Sequence, residues 1–376
     1  MKVVIILPTF NEKGNVERLI KILEEEIFPA IKNHEMNILV ADDNSPDGTA
    51  DKVKELMKEW KNLDLSSGEK FGLGAAYIRG MTCAIEKMGA EVMFEMDADL
   101  QHDPNKIKDF LAKLDDGYDM VIGTRYSNGG SIPENWPIQR KLFSIFGNLL
   151  VRIILMRFSI HDWTGGFRAI KKEVFLKEKA ELTSFKGYTF QVSFLHKAAR
   201  DGFKIAEVPI HFTDRTLGRS KIAPKEYIID LLKYVIGARI KEILFGKFGK
   251  FLVVGGIGFV INAGVLRGMV ELFHISPEIS NLSGAALAIF SNYNLNNIWT
   301  FSEEKHTRIV TYLWKMLQFY LTSSIGVIFI QTGTIFVGNK LFGTKGYFLY
   351  FLVGTALLLI WNFTVYNKFI WRKKPQ

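Results

Sequence analysis

The sequence of 376 residues contains a single cysteine, Cys83. One thiol excludes a disulfide-stabilised scaffold and a Cys-x-x-Cys metal site, and it suits a reducing compartment. Neither a Walker A string nor a Gly-x-Gly-x-x-Gly string occurs, which disfavours an ATPase and a dinucleotide-binding enzyme. The apolar run Val3 to Leu7 ends at Pro8 and is too short for a secretory signal. We therefore expect the N-terminal domain to stay in the cytosol.

Acidic residues are scarce in the last third of the chain. From Gly246 onward there are 12 Lys and Arg residues but only 4 Asp and Glu residues, whereas the whole chain has 48 and 39. Nearly all of the net charge of +9 therefore belongs to the most apolar part of the sequence. This combination indicates a membrane and not nucleic acid as the partner of the basic region.

Short apolar runs alternate with helical patterns through about the first 215 residues. The predicted strands are Val3–Leu7, Ile38–Ala41, Glu91–Met96 and Met120–Gly123, and the predicted helices are Val16–Ile31, Ala50–Trp60, Gly74–Met88 and Asn105–Leu114. This alternation predicts an α/β domain with a largely parallel sheet covered by helices. Ligands bind such sheets at the carboxyl ends of the strands, so we expect the site there.

Four long apolar stretches follow, at about 248–273, 279–300, 314–338 and 346–370. Each is long enough to cross the ~30 Å core of a bilayer, which takes ~20 helical residues. Basic residues cluster before the first stretch, between the second and third, and after the fourth: Lys241, Lys247, Lys250, Lys305, Arg308, Lys368, Arg372, Lys373 and Lys374. The positive-inside rule then predicts an integral, multi-pass membrane protein with both termini in the cytosol.

The second and fourth stretches repeat one pattern, because NYNLNNIWTF at 292–301 recurs 70 residues later as NFTVYNKFIW at 362–371. We interpret the repeat as two related hairpins whose Asn side chains link helices by amide hydrogen bonds. Two amphipathic segments, about 140–156 and 224–246, lie upstream of the spans. We interpret both as helices at the membrane interface, with a buried core helix as the alternative.

Acidic and glycine-bearing strings follow the predicted strands. Asp97-Ala98-Asp99 comes after Glu91–Met96, and two carboxylates at a strand end can bind a hard divalent cation that would clamp a diphosphate. Such a string is weak evidence alone, because turns explain most of them. The strings PTFNE at 8–12 and ADDNSPDGT at 41–49 supply groups that can accept from ribose hydroxyls and base N–H groups. The string GLG at 72–74 suits a phosphate-side loop.

The first half of the chain resembles the family-two glycosyltransferases of the GT-A fold. The resemblance lies in five strings that begin at residues 7, 42, 72, 95 and 123: LPTFNE, DDNSPDGT, GLGAAYIRG, EMDADLQHDP and GTRY. Five later strings are similar to dolichol-phosphate mannose synthases and less similar to polyprenyl-phosphate glucosyltransferases. They begin at residues 129, 161, 187, 207 and 214 and read GGSIPENWPIQRK, HDWTGGFRA, GYTFQVSF, EVPIHF and DRTLGRSK. The four-span region resembles a GtrA-like membrane domain, so the resemblance covers essentially the whole chain.

The resemblance implies three domains: a GT-A (Rossmann-like) nucleotide-sugar-binding domain at 1–223, an amphipathic interface helix at 224–246 and an all-α four-helix membrane domain at 247–376. It also implies roles for individual residues. Guanine and ribose would be held by Pro8, Phe10, Glu12, Ala41 and Asp43. Mg²⁺ or Mn²⁺ would be bound on the diphosphate by Asp97, Asp99 and Gln101, with Ala98 beside them. Phosphates would be met by Arg125, Arg215 and Lys221, and the lipid phosphate by Arg140 and Ser144.

The implied reaction is the transfer of mannose from GDP-mannose to dolichyl (polyisoprenyl) phosphate at the cytosolic membrane face, with inversion and release of GDP. The acceptor is already an anion, so positioning and stabilisation of the departing diphosphate suffice without a strong general base. One alternative is a UDP-glucose-dependent polyprenyl-phosphate glucosyltransferase, and another is a lipid-carrier translocator with a sensor domain. A processive polysaccharide synthase is disfavoured because no Gln-x-x-Arg-Trp string occurs.

Overall fold

A computed structural model of the protein describes residues 1–182, 187–213, 225–343 and 346–372. The chain divides into two compact units, Met1–Ala238 and Arg239–Gln376. Arg215 and Lys221, which the family resemblance assigns to phosphate contacts, lie outside the described residues.

The first unit is an α/β domain. Its strands are β1 (Lys2–Thr9), β2 (Glu35–Asp42), β3 (Leu63–Ser67), β4 (Val92–Glu95), β5 (Met120–Thr124), β6 (Arg168–Lys171) and β7 (Ile205–Pro209). Its helices are α1 (Lys13–Lys21), α2 (Thr49–Leu56), α3 (Leu73–Met88), α4 (Ile107–Asp115), α5 (Ile138–Leu155), α6 (Lys172–Leu182) and α7 (Gly187–Arg200). Helix α8 (Lys225–Phe245) follows and extends past the end of the unit.

The seven strands form one sheet in the order β3-β2-β1-β4-β6-β5-β7. All neighbours are parallel except β6, which runs antiparallel to both β4 and β5. Alternate residues of β1 point to opposite sides, so Val3 and Ile5 join a core with α1, α2 and α4, while Val4 and Ile6 join a core with α3, α6 and α7. A sheet buried on both faces explains the continuous apolar run of β1 and confirms the predicted α/β domain with a largely parallel sheet.

The short strands β3, β6 and β7 were absent from the sequence prediction. Strand β3 reads LDLSS and β6 reads RAIK, so neither has the apolar run or the length that marks a buried strand. The predicted helix Val16–Ile31 is also more complex, because α1 continues as a π-helical turn over Ile22–Ile27 and a 3-10 turn over Phe28–Ala30.

The second unit is helical. It contains α9 (Lys247–Phe273), α10 (Pro277–Leu295), α11 (Ile309–Ile325), α12 (Gly333–Phe342) and α13 (Tyr347–Val365). Helices therefore cover all four predicted apolar stretches. Within the described residues, Lys247–Phe273 and Ile309–Ile330 are long and apolar enough to cross a bilayer, with mean hydropathy of 1.7 and 1.4.

The predicted repeat recurs in the backbone of the second unit. Helix α10 ends in a π-helical turn over Asn296–Thr300, and α13 ends in one over Tyr366–Ile370, at equivalent positions of the two repeats. The Asn297 Oδ1 atom accepts from the His306 backbone N–H at 2.8 Å and from Trp371 Nε1 at 2.9 Å. Asn297 thus links the two hairpins as predicted, whereas the buried Oδ1 atoms of Asn292 and Asn362 have no hydrogen-bond partner among the described residues.

The two amphipathic helices differ in how they use their apolar faces. Helix α5 exposes its outer face, where Phe143 and Phe146 are 68% and 59% accessible. In α8, however, Val235 is buried in the core of the first unit with Leu231 packed against it, while Ile236 is exposed. The prediction that this whole face meets the membrane was therefore wrong for Leu231 and Val235, which pack against protein.

Candidate active site

The loops after β1 and β2 meet at the carboxyl edge of the sheet. Pro8 and Ala41 are register partners in the two strands. Backbone N–H groups of one loop donate to the other at 3.0–3.2 Å, in the pairs Asp43 to Thr9 O, Asn11 to Ser45 Oγ, Glu12 to Thr49 Oγ1 and Lys13 to Asp47 Oδ2. The structure therefore brings the five predicted nucleotide residues Pro8, Phe10, Glu12, Ala41 and Asp43 to one place.

The two adjacent acids of the second loop have different tasks. Asp42 is fully buried and accepts from the Thr9 hydroxyl at 2.9 Å, so it holds the loops together. Asp43 accepts from Arg79 Nη2 at 2.9 Å, and the same nitrogen donates to the Asp42 carbonyl at 3.1 Å. Arg79 was missed by sequence reasoning because its position on α3 carries no local signal for this contact.

Phe10 lies on the exposed side of the same loop pair, with 38% of its surface accessible. The Lys70 Nζ atom is 3.2 Å from the centroid of its ring, a cation–π contact. An exposed aromatic ring can stack on a nucleobase, and that role of Phe10 stays a prediction.

The predicted metal ligands follow β4, which pairs with β1. Leu100 has a φ of 62°, so the chain turns sharply between Asp99 and Gln101. The Asp99 Oδ1 atom accepts from the Gln101 backbone N–H at 3.1 Å, and Gln101 Nε2 donates to the Thr213 carbonyl at 3.0 Å. The latter bond assigns the amide nitrogen to Thr213, so the carbonyl oxygen is the end of Gln101 that can serve as a metal ligand.

The donor set of this turn is two carboxylates and one amide oxygen, all hard ligands that fit Mg²⁺ or Mn²⁺. Within the part of the chain that the structure describes, no group of three His, Cys, Asp or Glu side chains could hold a metal ion. The residues that would hold a cation at this turn are Asp97, Asp99 and Gln101.

His102 contributes to this turn, although the sequence analysis gave it no role. Its Nδ1 atom accepts from the Asp97 backbone N–H at 3.1 Å, and its Nε2 atom is 4.0 Å from Asp97 Oδ2. The ring stacks on Phe167 with centroids 4.9 Å apart. Burial lowers the pKa of His102 to about 4, so the ring is neutral at physiological pH and carries its proton on Nε2, toward Asp97.

A buried ion pair supports the turn from below. Glu95 and Arg168 are register partners in β4 and β6, with Arg168 Nε 3.9 Å from Glu95 Oε2, and both side chains are inaccessible to solvent. Burial raises the pKa of Glu95 to about 7. Arg168 also donates to the carbonyls of Gly165, Trp163 and Gln191 at 2.9, 3.2 and 2.7 Å. One buried cation therefore fixes the loop before β6 beside the end of β4.

Arg125, at the end of β5, is held by an acid that sequence reasoning missed. Arg125 Nε and Nη2 donate to the two carboxylate oxygens of Asp162 at 2.7 and 2.8 Å, and Nη2 also donates to Thr164 Oγ1 at 2.8 Å. Burial alone would raise the pKa of Asp162, but the guanidinium and backbone N–H groups bring it below its ordinary value. The string HDWTGGFRA contained Asp162, yet the sequence did not show which cation it faces.

The predicted lipid-phosphate ligands lie on α5 as expected, one helical turn apart on one face. The guanidinium carbon of Arg140 is 3.7 Å from the centroid of the Trp136 ring. The Ser144 Oγ atom is 2.5 Å from the hydroxyl of Tyr126, the residue after Arg125. Tyr126 thus joins α5 to the end of β5 and was not among the predicted site residues.

Two family models match the chain, one of a glycosyltransferase and one of a transmembrane domain. Residues 4–177 match Glycosyl transferase family 2, and residues 250–371 match the GtrA/DPMS transmembrane domain. The chain is 33% identical over 329 residues to a dolichol-phosphate mannosyltransferase of Pyrococcus furiosus, covering 87% of this chain and 88% of the relative. This protein therefore belongs to the dolichol-phosphate mannosyltransferase family.

The chain is similar to two further proteins. A polyprenol monophosphomannose synthase of Mycolicibacterium smegmatis is 37% identical over 224 residues, which is 59% of this chain and 81% of that one. A solved structure of glucosyl-3-phosphoglycerate synthase from Mycobacterium tuberculosis, in complex with Mn²⁺, uridine diphosphate and phosphoglyceric acid, is 17% identical with a TM-score of 0.44. It covers 64% of this chain and 78% of its own.

Proposed function

We propose that this glycosyltransferase transfers mannose from GDP-mannose to a polyprenyl phosphate such as dolichyl phosphate. The names of the Pyrococcus and Mycolicibacterium relatives support mannose and the lipid acceptor. The proposal is supported by how this chain places two groups of residues. The turn with Asp97 and Asp99 follows β4, which is next to β1 and its nucleotide loop. Tyr126, the residue after Arg125, is hydrogen-bonded to Ser144 on α5, a helix with an apolar outer face. That arrangement suits a nucleotide-sugar donor and an amphiphilic acceptor.

The donor would bind across the loops after β1 and β2. In this proposal Phe10 stacks on the guanine, Glu12 and Asp43 accept from base and ribose groups, and Pro8 and Ala41 position the two loops near the ends of β1 and β2. When bound on Asp97, Asp99 and Gln101, Mg²⁺ or Mn²⁺ would neutralise charge on the diphosphate. Ala98 lies between the two acids in the chain and would contact the donor.

The acceptor would reach the site along α5. Arg140 and Ser144 would bind the lipid phosphate, and Arg125, Arg215 and Lys221 would meet phosphate oxygens of the two substrates. A phosphate oxygen of the acceptor attacks the anomeric carbon of mannose from the face opposite to the diphosphate. The bond to GDP breaks as the new bond forms, so the anomeric configuration inverts. The charged and polar side chains would act by positioning both substrates and by stabilising the leaving diphosphate.

The membrane arrangement is part of the same proposal. The flanking Lys and Arg residues favour four spans with the catalytic unit and both termini in the cytosol. A cytosolic catalytic unit would have direct access to a nucleotide sugar and to a lipid phosphate in the facing leaflet.

The proposal is tested by radiolabelled sugar transfer from purified full-length protein. GDP-mannose and UDP-glucose are each offered with dolichyl phosphate, with Mg²⁺, with Mn²⁺ and with EDTA. We expect a metal-dependent lipid product from GDP-mannose. A product from UDP-glucose alone would instead assign the glucosyltransferase activity, and no product with either donor would leave the translocator as the surviving alternative.

A further inference from the structure

Helix α5 packs against the rest of the first unit along a narrow stripe of its inner face. Its buried residues are Asn148, Val151 and Leu155, which share one face of the helix. Packing alone favours apolar residues in such a stripe, and a buried carboxamide is costly unless its hydrogen-bonding groups are satisfied. Asn148 therefore needs an explanation other than packing.

The carboxamide of Asn148 is engaged at both ends. Its Oδ1 atom accepts from the Trp163 backbone N–H at 2.7 Å. Its Nδ2 atom donates to the Ser144 carbonyl at 2.9 Å and to Thr164 Oγ1 at 3.3 Å. One side chain of α5 is thus bonded to two successive residues of the loop that precedes β6.

The same loop holds Arg125. The Thr164 hydroxyl oxygen accepts from Arg125 Nη2 at 2.8 Å as well as from Asn148, and the hydroxyl donates to Asp162 Oδ1 at 3.5 Å. A hydroxyl has two lone pairs and one proton, so these three bonds use its full capacity. The Arg125 guanidinium and the Asn148 amide consequently share one bridging atom.

We propose that Asn148 is a positioning residue that sets the Arg125 guanidinium through Thr164. Arg125 then has its working geometry only when α5 is seated on the catalytic unit. Because the outer face of α5 is the predicted membrane contact, seating of the helix couples membrane contact to the placement of this arginine. The inference rests on the proposed function, in which Arg125 meets a substrate phosphate.

The test is a double-mutant cycle on the full-length protein in lipid nanodiscs, with GDP-mannose and dolichyl phosphate. Asn148→Ala and Thr164→Val should each lower kcat/KM by roughly ten- to a hundredfold, the scale of displacing a catalytic contact by about 1 Å. Thr164→Ser keeps the bridging hydroxyl and should stay within about twofold of the unaltered protein. In an Arg125→Lys background, Asn148→Ala should add less than about twofold, because both changes disturb one unit.

Arg152→Ala is the matched control. Arg152 lies one turn beyond Asn148, and its Nη2 atom donates to the Phe158 carbonyl at 2.8 Å, four residues before Asp162. We expect it to leave kcat/KM within about twofold. An equal loss in Arg152→Ala would show that truncating any polar side chain on this part of α5 lowers transfer, and would overturn the specific role of Asn148.

Two further outcomes are decisive. If the fold-losses in kcat/KM from Asn148→Ala and Arg125→Lys multiply in the double variant, the two residues act independently. That result would overturn the positioning role of Asn148 while leaving Arg125 in the site. Unchanged transfer in Arg125→Lys and Arg125→Ala would remove Arg125 from the site and overturn the proposed role and this inference together. Should Asn148→Ala fail to fold, the comparison of kcat/KM between Thr164→Val and Thr164→Ser decides. Val has nearly the shape of Thr, with a methyl group in place of the bridging hydroxyl.

Discussion

Phe301 and Trp371 occupy equivalent positions of the two repeats in the membrane domain and stack on each other. Their ring centroids are 4.6 Å apart, their planes differ by 7°, and both side chains are fully buried. The Trp371 indole N–H also donates to Asn297, which holds the second ring in register with the first hairpin. The contact therefore joins the two hairpins through residues that the repeat itself makes equivalent.

We predict that Trp371→Ala lowers the thermal unfolding temperature of the full chain in detergent, since removing a buried aromatic ring leaves a cavity. Trp371→Phe keeps an aromatic ring in the stack and loses the indole N–H bond to Asn297, so its unfolding temperature should fall less than that of Trp371→Ala. Phe369→Ala, at an exposed ring in the same turn, is the control. Equal stability of the Trp371→Ala and Phe369→Ala variants would contradict the role of the stack.

Asp99 is predicted to be the carboxylate on which metal-dependent transfer depends most. It is buried and fixed by the Gln101 backbone N–H, whereas Asp97 is half-buried. Asp99→Asn keeps an acceptor for that N–H and removes the charge. We expect at least a ~100-fold loss of kcat with little change in unfolding temperature, because lost stabilisation of developing charge costs about 2.7–4 kcal/mol. Asp103→Asn, in the helix cap just beyond, is the control.

EDTA supplies a second arm of this experiment. Transfer should stop when the chelator is added and resume with excess Mg²⁺ or Mn²⁺. Persistence of near-normal transfer in EDTA would show that the Asp97–Asp99 turn does not work through a cation.

Arg140→Ala is predicted to lower kcat/KM for the lipid acceptor by about ten- to a hundredfold. Charge-assisted hydrogen bonds contribute roughly 1.5–3 kcal/mol, and 1.36 kcal/mol corresponds to a factor of ten. The KM for GDP-mannose should change little. Arg140→Lys keeps the charge but loses the planar contact with Trp136, so we expect an intermediate value. If the alanine variant loses donor binding and keeps its lipid KM, Arg140 belongs to the nucleotide site instead.

Sequence reasoning found the parts of the site that are contiguous in the chain. The acids at 97 and 99 stand out because an apolar strand and a turn are both local patterns. The strand β1 was equally clear, since all five residues from Val3 to Leu7 are apolar and buried on a two-sided sheet.

Sequence reasoning missed the pairs of charged residues that join elements distant in the chain. Arg125 and Asp162 are 37 residues apart, and their contact depends on how the loop before β6 folds back over the end of β5. Strand β6 itself has four residues and begins with Arg168, whose buried charge is met by Glu95 on the neighbouring strand and by backbone carbonyls of Trp163, Gly165 and Gln191. Partner choice of this kind is set by strand order, which a local pattern does not contain.

Glu178 on α6 is predicted to make stability depend on pH. Burial raises its pKa from 4.5 to about 7, with Asp201 and Glu181 adding to the effect and Arg200, 3.7 Å away, opposing it. The folded state then binds more protons than the unfolded state between these values. Stability should therefore fall as the pH rises from about 4.5 to about 7 and level off above.

The measurement is thermal unfolding of the full chain from pH 5 to 8. Glu178→Gln should flatten the decline and be more stable than the unaltered protein at pH 8. The exposed Glu173→Gln on the same helix is the control. Parallel curves for the Glu178→Gln variant and the unaltered protein would contradict the prediction.

A chain truncated after Lys241 is predicted to retain transfer to short, detergent-soluble polyprenyl phosphates. Met1–Ala238 is a compact unit with its own two-sided core, and every site residue assigned above precedes residue 224. Loss of the membrane domain should raise the KM for long-chain dolichyl phosphate more than it lowers kcat for a short acceptor, because anchoring acts on encounter with the lipid and not on chemistry. Asp99→Asn in the same truncated chain gives the background rate. A truncated chain that folds, binds GDP-mannose and transfers nothing to the short acceptor would show that helices α9 to α13 complete the active site.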